Sequence, residues 1–316
     1  MLTIYSSENG KLKTEQSVKE GCWINISPPF NLDNLKAISQ ELDIPLDFLT
    51  DSIDIDERSR YEREDGLKLI VYNIPVKNDG IAETEAAYIT IPLGIVISQD
   101  FILTISSFKN PIIELFENNK IKNFDPSDFS NFVLQIFERS VIYFLNFLKQ
   151  INKLRYSFEK ELYYSSKNEE LNNLMNIQKS LVYFVTNLRS NELLMMKMQR
   201  TDLLRISGDE NKTDLLQDII VDNSQALEMA DIYTKVLNAT MDAFASIISN
   251  NLNQVVKRLT SVTIVLMVPT LVASFYGMNV KNLPLENSQF AFISIIFISI
   301  GLSLLLIWFF IRKRWF

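Results

Sequence analysis

The sequence predicts an α+β domain that is followed by a long helical stalk and by two transmembrane helices near the C-terminus. Three observations support this prediction. Residues 127–268 contain no proline and a single glycine, Gly208, whereas both residues normally interrupt long helices. Two stretches without charged residues, Leu259–Val280 and Asn287–Ile311, lie near the C-terminus. Short apolar runs that favour β-strands lie before residue 110.

The composition excludes several kinds of chemistry. The 316 residues include no histidine and one cysteine, Cys22. Without histidine there is no Ser-His-Asp or Cys-His catalysis, no imidazole zinc site and no imidazole pH switch. A lone cysteine forms neither an internal disulfide nor a thiolate cluster, so we expect Cys22 to be a small buried apolar residue. Any metal must then be bound through oxygen atoms or water.

The charge is distributed unevenly along the chain. The net charge is −7, but residues 255–316 carry +5 and residues 1–254 carry −12. A protein that binds nucleic acid needs a basic surface, so an acidic N-terminal part argues against a nucleic-acid partner. The same acidic part is compatible with cations as partners.

Residues 1–125 are predicted to form the mixed α/β domain. A helical pattern is present at Asp33–Glu41. The apolar runs that predict strands are Cys22–Ile26, Leu67–Ile74, Ala87–Ile91, Gly94–Ile97 and Phe101–Ile105.

Residues 126–258 are predicted to be helical throughout. Asp125 as N-cap, Pro126 at the first helical position and Asp128 near the positive helix end predict a helix that runs to about Tyr164. A capping box formed by Ser166 and Glu169 predicts the next helix.

That second helix is predicted to end near Leu204, and the Ser207-Gly208-Asp209 turn then reverses the chain. From about Thr213 nothing breaks the helix before Gly277, which predicts a stalk of close to 100 Å at 1.5 Å per residue.

The stalk carries an apolar heptad seam, which we expect to pack on the preceding helices, on another subunit, or on both. The seam consists of Leu216, Ile220, Asn223, Leu227, Ala230, Thr234, Leu237, Met241, Phe244, Ile248, Asn251 and Val255.

The two uncharged stretches are each long enough to cross about 30 Å of hydrocarbon as a helix. We expect the first span at 259–280, a connection at 281–289, the second span at 290–311 and a basic tail at 312–316. Basic residues precede the first span and follow the second, which under the positive-inside rule places both chain ends in the cytoplasm and the connection outside. The predicted location is the plasma (inner) membrane, and a signal peptide is not expected.

A polar stripe follows one face of the stalk into the first span. Polar side chains that share one face of a span turn away from lipid, toward other helices or toward water. Hydrogen bonding between helices and a water-filled path both remain open, and the second would need several subunits around one axis. The stripe consists of Asp242, Ser246, Ser249, Asn253, Val256, Thr260, Thr263, Met267, Thr270, Ser274 and Gly277.

The end of the first span resembles the signature of the CorA magnesium transport family. Gly277-Met278-Asn279 follows Tyr276 and precedes a short connection, a second span and a basic-aromatic end. Met278 favours the magnesium branch over the related zinc transporters, which tend to have isoleucine there. Further landmarks are Trp23-Ile24-Asn25-Ile26, Ile44-Pro45-Leu46 leading to Asp51, Glu57-Arg58, and Ser249-Asn250 with Asn253, Leu259 and Thr260.

This resemblance implies a homopentameric funnel that conducts Mg²⁺ passively, with Co²⁺ or Ni²⁺ as further substrates. It assigns the outer mouth to Gly277, Met278 and Asn279, and a hydrophobic constriction to Leu259 and Met267. The pore-lining positions that it implies are Asn253, Val256, Leu259, Thr263, Met267, Thr270 and Ser274. The stripe contains these positions except Leu259, in whose place it has Thr260.

The resemblance also implies regulation by cytosolic Mg²⁺, which would bridge neighbouring subunits through Asp51 and Asp218. Facing carboxylates repel each other until a divalent ion neutralises them, so loss of the ion would loosen the interface. Asp242, on the stripe, is a candidate for an acidic ring that concentrates cations.

Three other functions are weighed against a magnesium channel. One is a zinc transporter of the same superfamily. The second is a membrane-tethered metal sensor or scaffold without transport, which would need no polar stripe through the membrane. The third is a membrane-anchored enzyme, against which stand the missing histidine and the absence of a glycine-rich phosphate loop.

Overall fold

The computed structural model describes residues 2–8, 11–80, 84–122, 124–165, 168–279, 284 and 290–313. The chain divides into two compact units, Met1–Ala239 and Thr240–Phe316. The first unit contains a β-sheet with helices on both of its faces. The second contains the C-terminal part of a long helix and one further helix.

The sheet of the first unit has seven strands in the order β2-β1-β3-β7-β6-β5-β4. Neighbouring strands are antiparallel except β3 and β7, which are parallel. The strands are β1 (Leu2–Glu8), β2 (Lys11–Glu15), β3 (Cys22–Ile26), β4 (Arg60–Glu64), β5 (Leu67–Lys77), β6 (Tyr88–Ile97) and β7 (Phe101–Ile105).

Most predicted strands are confirmed, but the prediction of two separate strands at Ala87–Ile91 and Gly94–Ile97 is wrong. β3 and β7 have the predicted bounds, and β5 extends three residues further than predicted. The two runs predicted on either side of Pro92 form one strand, β6. Proline is tolerated there because β7 pairs only with Gly94–Ile97, so β6 has a single neighbouring strand at Pro92.

Three short helices accompany the sheet: α1 (Leu32–Glu41), α2 (Leu46–Asp51) and α3 (Pro111–Glu117). The predicted helix at Asp33–Glu41 is confirmed as α1, which the Asn31 side chain caps by accepting a hydrogen bond from the Asn34 amide at 2.8 Å.

The long helices are α4 (Phe129–Ser165), α5 (Asn168–Arg200) and α6 (Glu210–Tyr276), and α7 (Ala291–Arg312) follows them. The predicted start of α4 is wrong by three residues. Asp125 caps a turn, in which its carboxylate accepts from the Ser127 amide, and Asp128 caps the helix by accepting from the Asn131 amide at 3.1 Å. Ser166, the predicted cap of α5, lies outside the described residues.

α5 ends about four residues earlier, and α6 begins about three residues earlier, than the sequence predicted. α5 stops at Arg200 because Asp202 takes a left-handed backbone conformation, with φ of 44°. α6 begins at Glu210, earlier than predicted, since the Asp209 carboxylate accepts from the Lys212 amide at 3.2 Å. α6 ends at Tyr276, just before Gly277, and its 67 residues correspond to about 100 Å of helix.

The core of the first unit has two layers, because alternate strand residues face opposite sides of the sheet. Cys22 and Ile24 face the side that α1 and α2 cover, whereas Trp23 faces the side covered by α3–α6. Cys22 is fully buried, as predicted.

The heptad seam packs within the chain only in its first half. Leu216, Ile220, Asn223, Ala230 and Leu237 are buried, and the Asn223 side-chain amide donates to the Leu188 carbonyl of α5 at 3.0 Å. By contrast, Ile248, Asn251 and Val255 are exposed in the single chain.

Candidate functional site

Two helices of the described chain, α6 and α7, are long and apolar enough to cross a membrane. Within the second unit, α7 packs on one side of α6. Ser303 on α7 donates to the Val265 carbonyl at 3.4 Å, and a groove between the two helices is bounded by Pro269 and Ala273 on α6 and by Ser299 and Ile300 on α7.

The polar stripe lies on a different side of α6. At about 100° per residue, the seven predicted pore-lining positions fall within an arc of about 120°, centred about 140° from the positions that face α7. All seven are exposed, and Leu259 and Met267 keep 69% and 63% of their surface. Hydrogen bonding to α7 therefore does not explain the stripe within one chain. Leu259, which the resemblance implies as pore-lining, and Thr260, which the stripe has in its place, lie near opposite edges of this arc, and both are exposed.

Two threonines of the stripe, Thr263 and Thr270, use their hydroxyl hydrogens within α6. Thr263 donates to the Leu259 carbonyl at 2.8 Å, and Thr270 donates to the Leu266 carbonyl at 3.1 Å. A hydroxyl has one hydrogen and two acceptor lone pairs. These side chains consequently present acceptors on the exposed face.

Gly277, Met278 and Asn279 follow the last helical residue of α6, and all three are exposed. The Gly277 amide donates to the Ala273 carbonyl at 2.9 Å, and the Met278 amide donates to the Phe275 carbonyl at 3.3 Å. The Gly277 and Met278 amides thus still bond to carbonyls of α6, and Asn279 lies beyond the end of the helix.

The connection beyond this point is tied to α6 by the Tyr276 hydroxyl, which donates to the Pro284 carbonyl at 3.1 Å. Apart from Pro284, the residues between Asn279 and Phe290 lie outside the described part of the chain.

Asp242 lies on the same helix, three turns before Asn253 and within about 20° of it around the helix axis. Its side chain is exposed, and its carbonyl accepts from the Ser246 hydroxyl at 3.0 Å. Asp242 therefore lies on the same face of α6 as Asn253, and its role in an acidic ring stays a prediction.

Asp51, one residue of the predicted metal bridge, is the last residue of α2 and is paired within its own chain. The Arg60 guanidinium lies 2.7 Å from its carboxylate, and also pairs with Glu57 and Glu62. Burial raises the pKa of Asp51, Arg60 opposes this shift, and the neighbouring Glu57 adds to it.

Asp218, the other residue of the bridge, is exposed on α6. Among the described residues, no group of three or more acidic or cysteine side chains lies close enough to hold a metal ion. Within one chain, then, the structure does not assemble Asp51 and Asp218 into a complete metal site, and a bridge would need ligands from a second subunit.

Sequence reasoning missed Arg60 and Ser303. The spacing of Arg60 from Glu57 and Glu62 is a signal for local ion pairs, but it does not identify Asp51 as a partner. Pro269 was a signal that the Val265 carbonyl needs another donor, because a proline inside a helix leaves the carbonyl four residues earlier without its amide donor. It did not identify Ser303 as that donor.

The chain matches the family model described as "CorA-like Mg2+ transporter protein" over residues 18–313. It is 26% identical over 297 residues to the cobalt/magnesium transport protein CorA of Methanocaldococcus jannaschii. This alignment covers 93% of this chain and 90% of that relative. It is 28% identical over 116 residues to the magnesium transport protein CorA of Helicobacter pylori, about 36% of each chain.

The fold is similar to the complete structure of the CorA magnesium transporter from Methanocaldococcus jannaschii. The TM-score is 0.83 at 23% identity, and the match covers 100% of this chain and 99% of that one. Because the family model spans most of the sequence, the chain belongs to the CorA-like Mg²⁺ transporter family.

Proposed function

We propose that this chain is one subunit of a homopentameric channel that moves Mg²⁺ passively across the plasma membrane, with Co²⁺ and Ni²⁺ as further substrates. The observation that carries the proposal is the polar face of α6, which α7 leaves uncovered. Polar groups in a membrane-spanning helix need partners other than lipid. A single pair of helices encloses no path, so copies of the chain must supply the remaining walls.

The chemistry of this face suits a hydrated divalent cation. Mg²⁺ dehydrates reluctantly and keeps several waters, whose hydrogens point outward. The Thr263 and Thr270 hydroxyls, with their hydrogens engaged by the helix, would accept hydrogen bonds from those waters. Such neutral acceptors bind weakly enough to allow release, which conduction requires.

The outer mouth would be formed by five copies of Gly277-Met278-Asn279. The Asn279 amide oxygen is a further neutral acceptor, and the negative end of the α6 dipole lies beside it. Leu259 and Met267 would form the hydrophobic constriction, where closure excludes water.

On the cytosolic side, Asp242 would form an acidic ring that concentrates cations before the pore. Asp51 and Asp218 of neighbouring subunits would hold a regulatory Mg²⁺ that favours the closed state. Both chain ends would be cytoplasmic, and the first unit would be cytosolic. No enzymatic step is proposed.

Flux into liposomes tests this function. The purified chain is reconstituted, and uptake of Mg²⁺, Co²⁺, Ni²⁺ and Zn²⁺ is followed with an indicator inside the vesicle. We expect Mg²⁺ uptake that Asn279→Ala abolishes while the oligomer stays intact by size-exclusion light scattering. Unchanged Mg²⁺ flux in that variant would contradict the assignment of Asn279 to the outer mouth. Absence of wild-type flux for every ion would favour a sensor or scaffold.

A further inference from the structure

A groove in the first unit lies between two short connections, far along the chain from the predicted pore. One wall is the β4–β5 turn with Arg63 and Lys68. The other is the segment between α5 and α6, with Thr201, Asp202 and Arg205. The groove is open and has a volume of about 520 Å³.

The three cations of the groove influence one another. Lys68 is half-buried, and its ammonium donates to the Leu203 carbonyl at 2.8 Å, which fixes its position. Burial lowers the pKa of Lys68, and repulsion from Arg205 and Arg63 lowers it further, while Asp202 opposes the shift. Arg205 and Arg63 thus lie close enough to Lys68 to repel its ammonium.

The carboxylate of Asp202 already accepts hydrogen bonds from residues of its own loop. It accepts from the Ile206 amide at 2.8 Å, from the Ser207 amide at 3.3 Å and from the Ser207 hydroxyl at 2.7 Å. In the described part of the chain, neither Arg63, Lys68 nor Arg205 forms an ion pair with a carboxylate within 4 Å. Two other acids, Glu64 and Asp65, also line the groove, and they are exposed, as are Arg63 and Arg205. Water therefore screens the charges of all four side chains.

The groove lies in the acidic part of the chain, since residues 1–254 carry a net charge of −12. Other basic residues of this part pair with acids, for example Lys212 with Asp128 and Arg60 with Asp51. Three cations that lack such partners and share one groove form a local site for an anion with several charges. Arginine presents a fork of donors that fits phosphate oxygens, and lysine adds a point charge.

We propose that this groove binds the polyphosphate chain of a small molecule, with Arg63, Lys68 and Arg205 each contacting phosphate oxygens. The same chemistry is present in inorganic tripolyphosphate and in the triphosphate of a nucleotide. The groove shares no residue with the proposed ion path, and its binding test does not depend on transport.

Binding to the full-length oligomer in detergent tests the proposal. Isothermal titration calorimetry without divalent cations, at about 0.15 M salt, compares tripolyphosphate, ATP and orthophosphate. The test variant is Arg63→Gln with Arg205→Gln, since both side chains are exposed and Lys68, which holds the Leu203 carbonyl, stays in place. The matched control removes two exposed lysine charges elsewhere, in Lys36→Gln with Lys160→Gln.

We expect saturable binding of tripolyphosphate and weaker binding of orthophosphate. The test variant should lose about tenfold or more in affinity, because each lost contact is a charge-assisted hydrogen bond, and the control should stay within about twofold. Equal affinity for ATP and tripolyphosphate would assign recognition to the phosphates alone, whereas tighter binding of ATP would add contacts to the nucleoside.

Two results would overturn the site. One is the absence of saturable tripolyphosphate binding to the wild-type oligomer, which needs no variant. The other is an equal loss of affinity in the test and control variants, which would reduce the effect to overall charge.

Discussion

The Ser303 hydroxyl of α7 donates a hydrogen bond to the Val265 carbonyl of α6 at 3.4 Å. In an uninterrupted helix this carbonyl would accept from the amide of residue 269, but residue 269 is proline and has no amide hydrogen. A backbone carbonyl without a donor is unfavourable in hydrocarbon. Ser303 thus gives a long hydrogen bond to the carbonyl that Pro269 leaves without an amide donor, on a side of α6 about 140° from the stripe.

The first prediction concerns the hydrogen bond that Ser303 donates in place of the missing amide of residue 269. Ser303→Ala should destabilise the assembled protein by about 0.5–1 kcal/mol, the usual value of an interhelical hydrogen bond in a membrane. In a Pro269→Ala background the helix regains its own donor, so the same substitution should cost much less. Thermal unfolding of the four proteins in one detergent measures both costs. Equal costs in the two backgrounds would show that Ser303 does not act through the Val265 carbonyl.

The second prediction concerns Arg60, which pairs with Asp51 at 2.7 Å, and it rests on the proposed regulatory role of Asp51. The guanidinium repels a divalent cation and occupies one carboxylate oxygen. Arg60→Gln should therefore lower the Mg²⁺ concentration that half-inhibits flux, by about two- to fivefold, the range of a partly exposed ion pair. Arg60→Lys, which keeps the charge, should shift it less.

Asp51→Asn separates the two parts of that prediction. It should raise the inhibitory Mg²⁺ concentration, and Arg60→Gln should then have no further effect. If Asp51→Asn changes inhibition but Arg60→Gln does not, the competition by Arg60 is wrong and the bridge survives. If Asp51→Asn itself has no effect, Asp51 is not a regulatory ligand.

The third prediction is a pH dependence at the start of α6. Burial acts to raise the pKa of Asp128, but hydrogen bonds from Lys212, from the Asn131 amide and from Ser130 outweigh it and hold this pKa below its ordinary value. A depressed carboxyl pKa gives stability above the unfolded value of about 3.9, and this stability is lost as the pH falls through the folded value.

Lys212→Met removes the ammonium that lies 2.8 Å from the Asp128 carboxylate. It should lower the Tm at pH 7 by about 1–3 °C, since the pair is partly exposed, and the difference from wild type should shrink as the pH falls below about 4. Thermal scans of both proteins between pH 7 and pH 3.5 measure this difference. A difference that stays constant over the whole range would mean that Lys212 acts by packing alone.

The elements with a clear period or a clear interruption could be predicted from the sequence. α6 was predicted because no proline or glycine interrupts it before the membrane, and β3 and β7 because they are continuous apolar runs. β4, with the sequence Arg-Tyr-Glu-Arg-Glu, was missed because it lies at the sheet edge and is mostly polar. Charged edge strands avoid pairing with other chains, but they lose the hydrophobic alternation that reveals a strand.

The candidate site was predictable in the same uneven way. Helical spacing was enough to place Thr263 and Thr270 on one face, because that relationship lies within one helix. The position of α7 was not predictable, since it depends on which face of α6 a distant segment covers. Likewise, Arg60 meets Asp51 only after the chain has turned between α2 and β4.

The central claim is that the uncovered face of α6 lines the ion path, and thiol accessibility tests it most directly. Cys22 is the sole cysteine and is fully buried, so an introduced thiol reports on its own position. Thr270→Cys places a thiol on the stripe, and Val272→Cys places one about 160° away around the same helix. Mg²⁺ flux into liposomes is measured before and after a charged, membrane-impermeant methanethiosulfonate reagent. We expect the reagent to block flux through Thr270→Cys and to leave Val272→Cys unchanged, whereas equal sensitivity, or block of Val272→Cys alone, would contradict the assignment of this face to the pore.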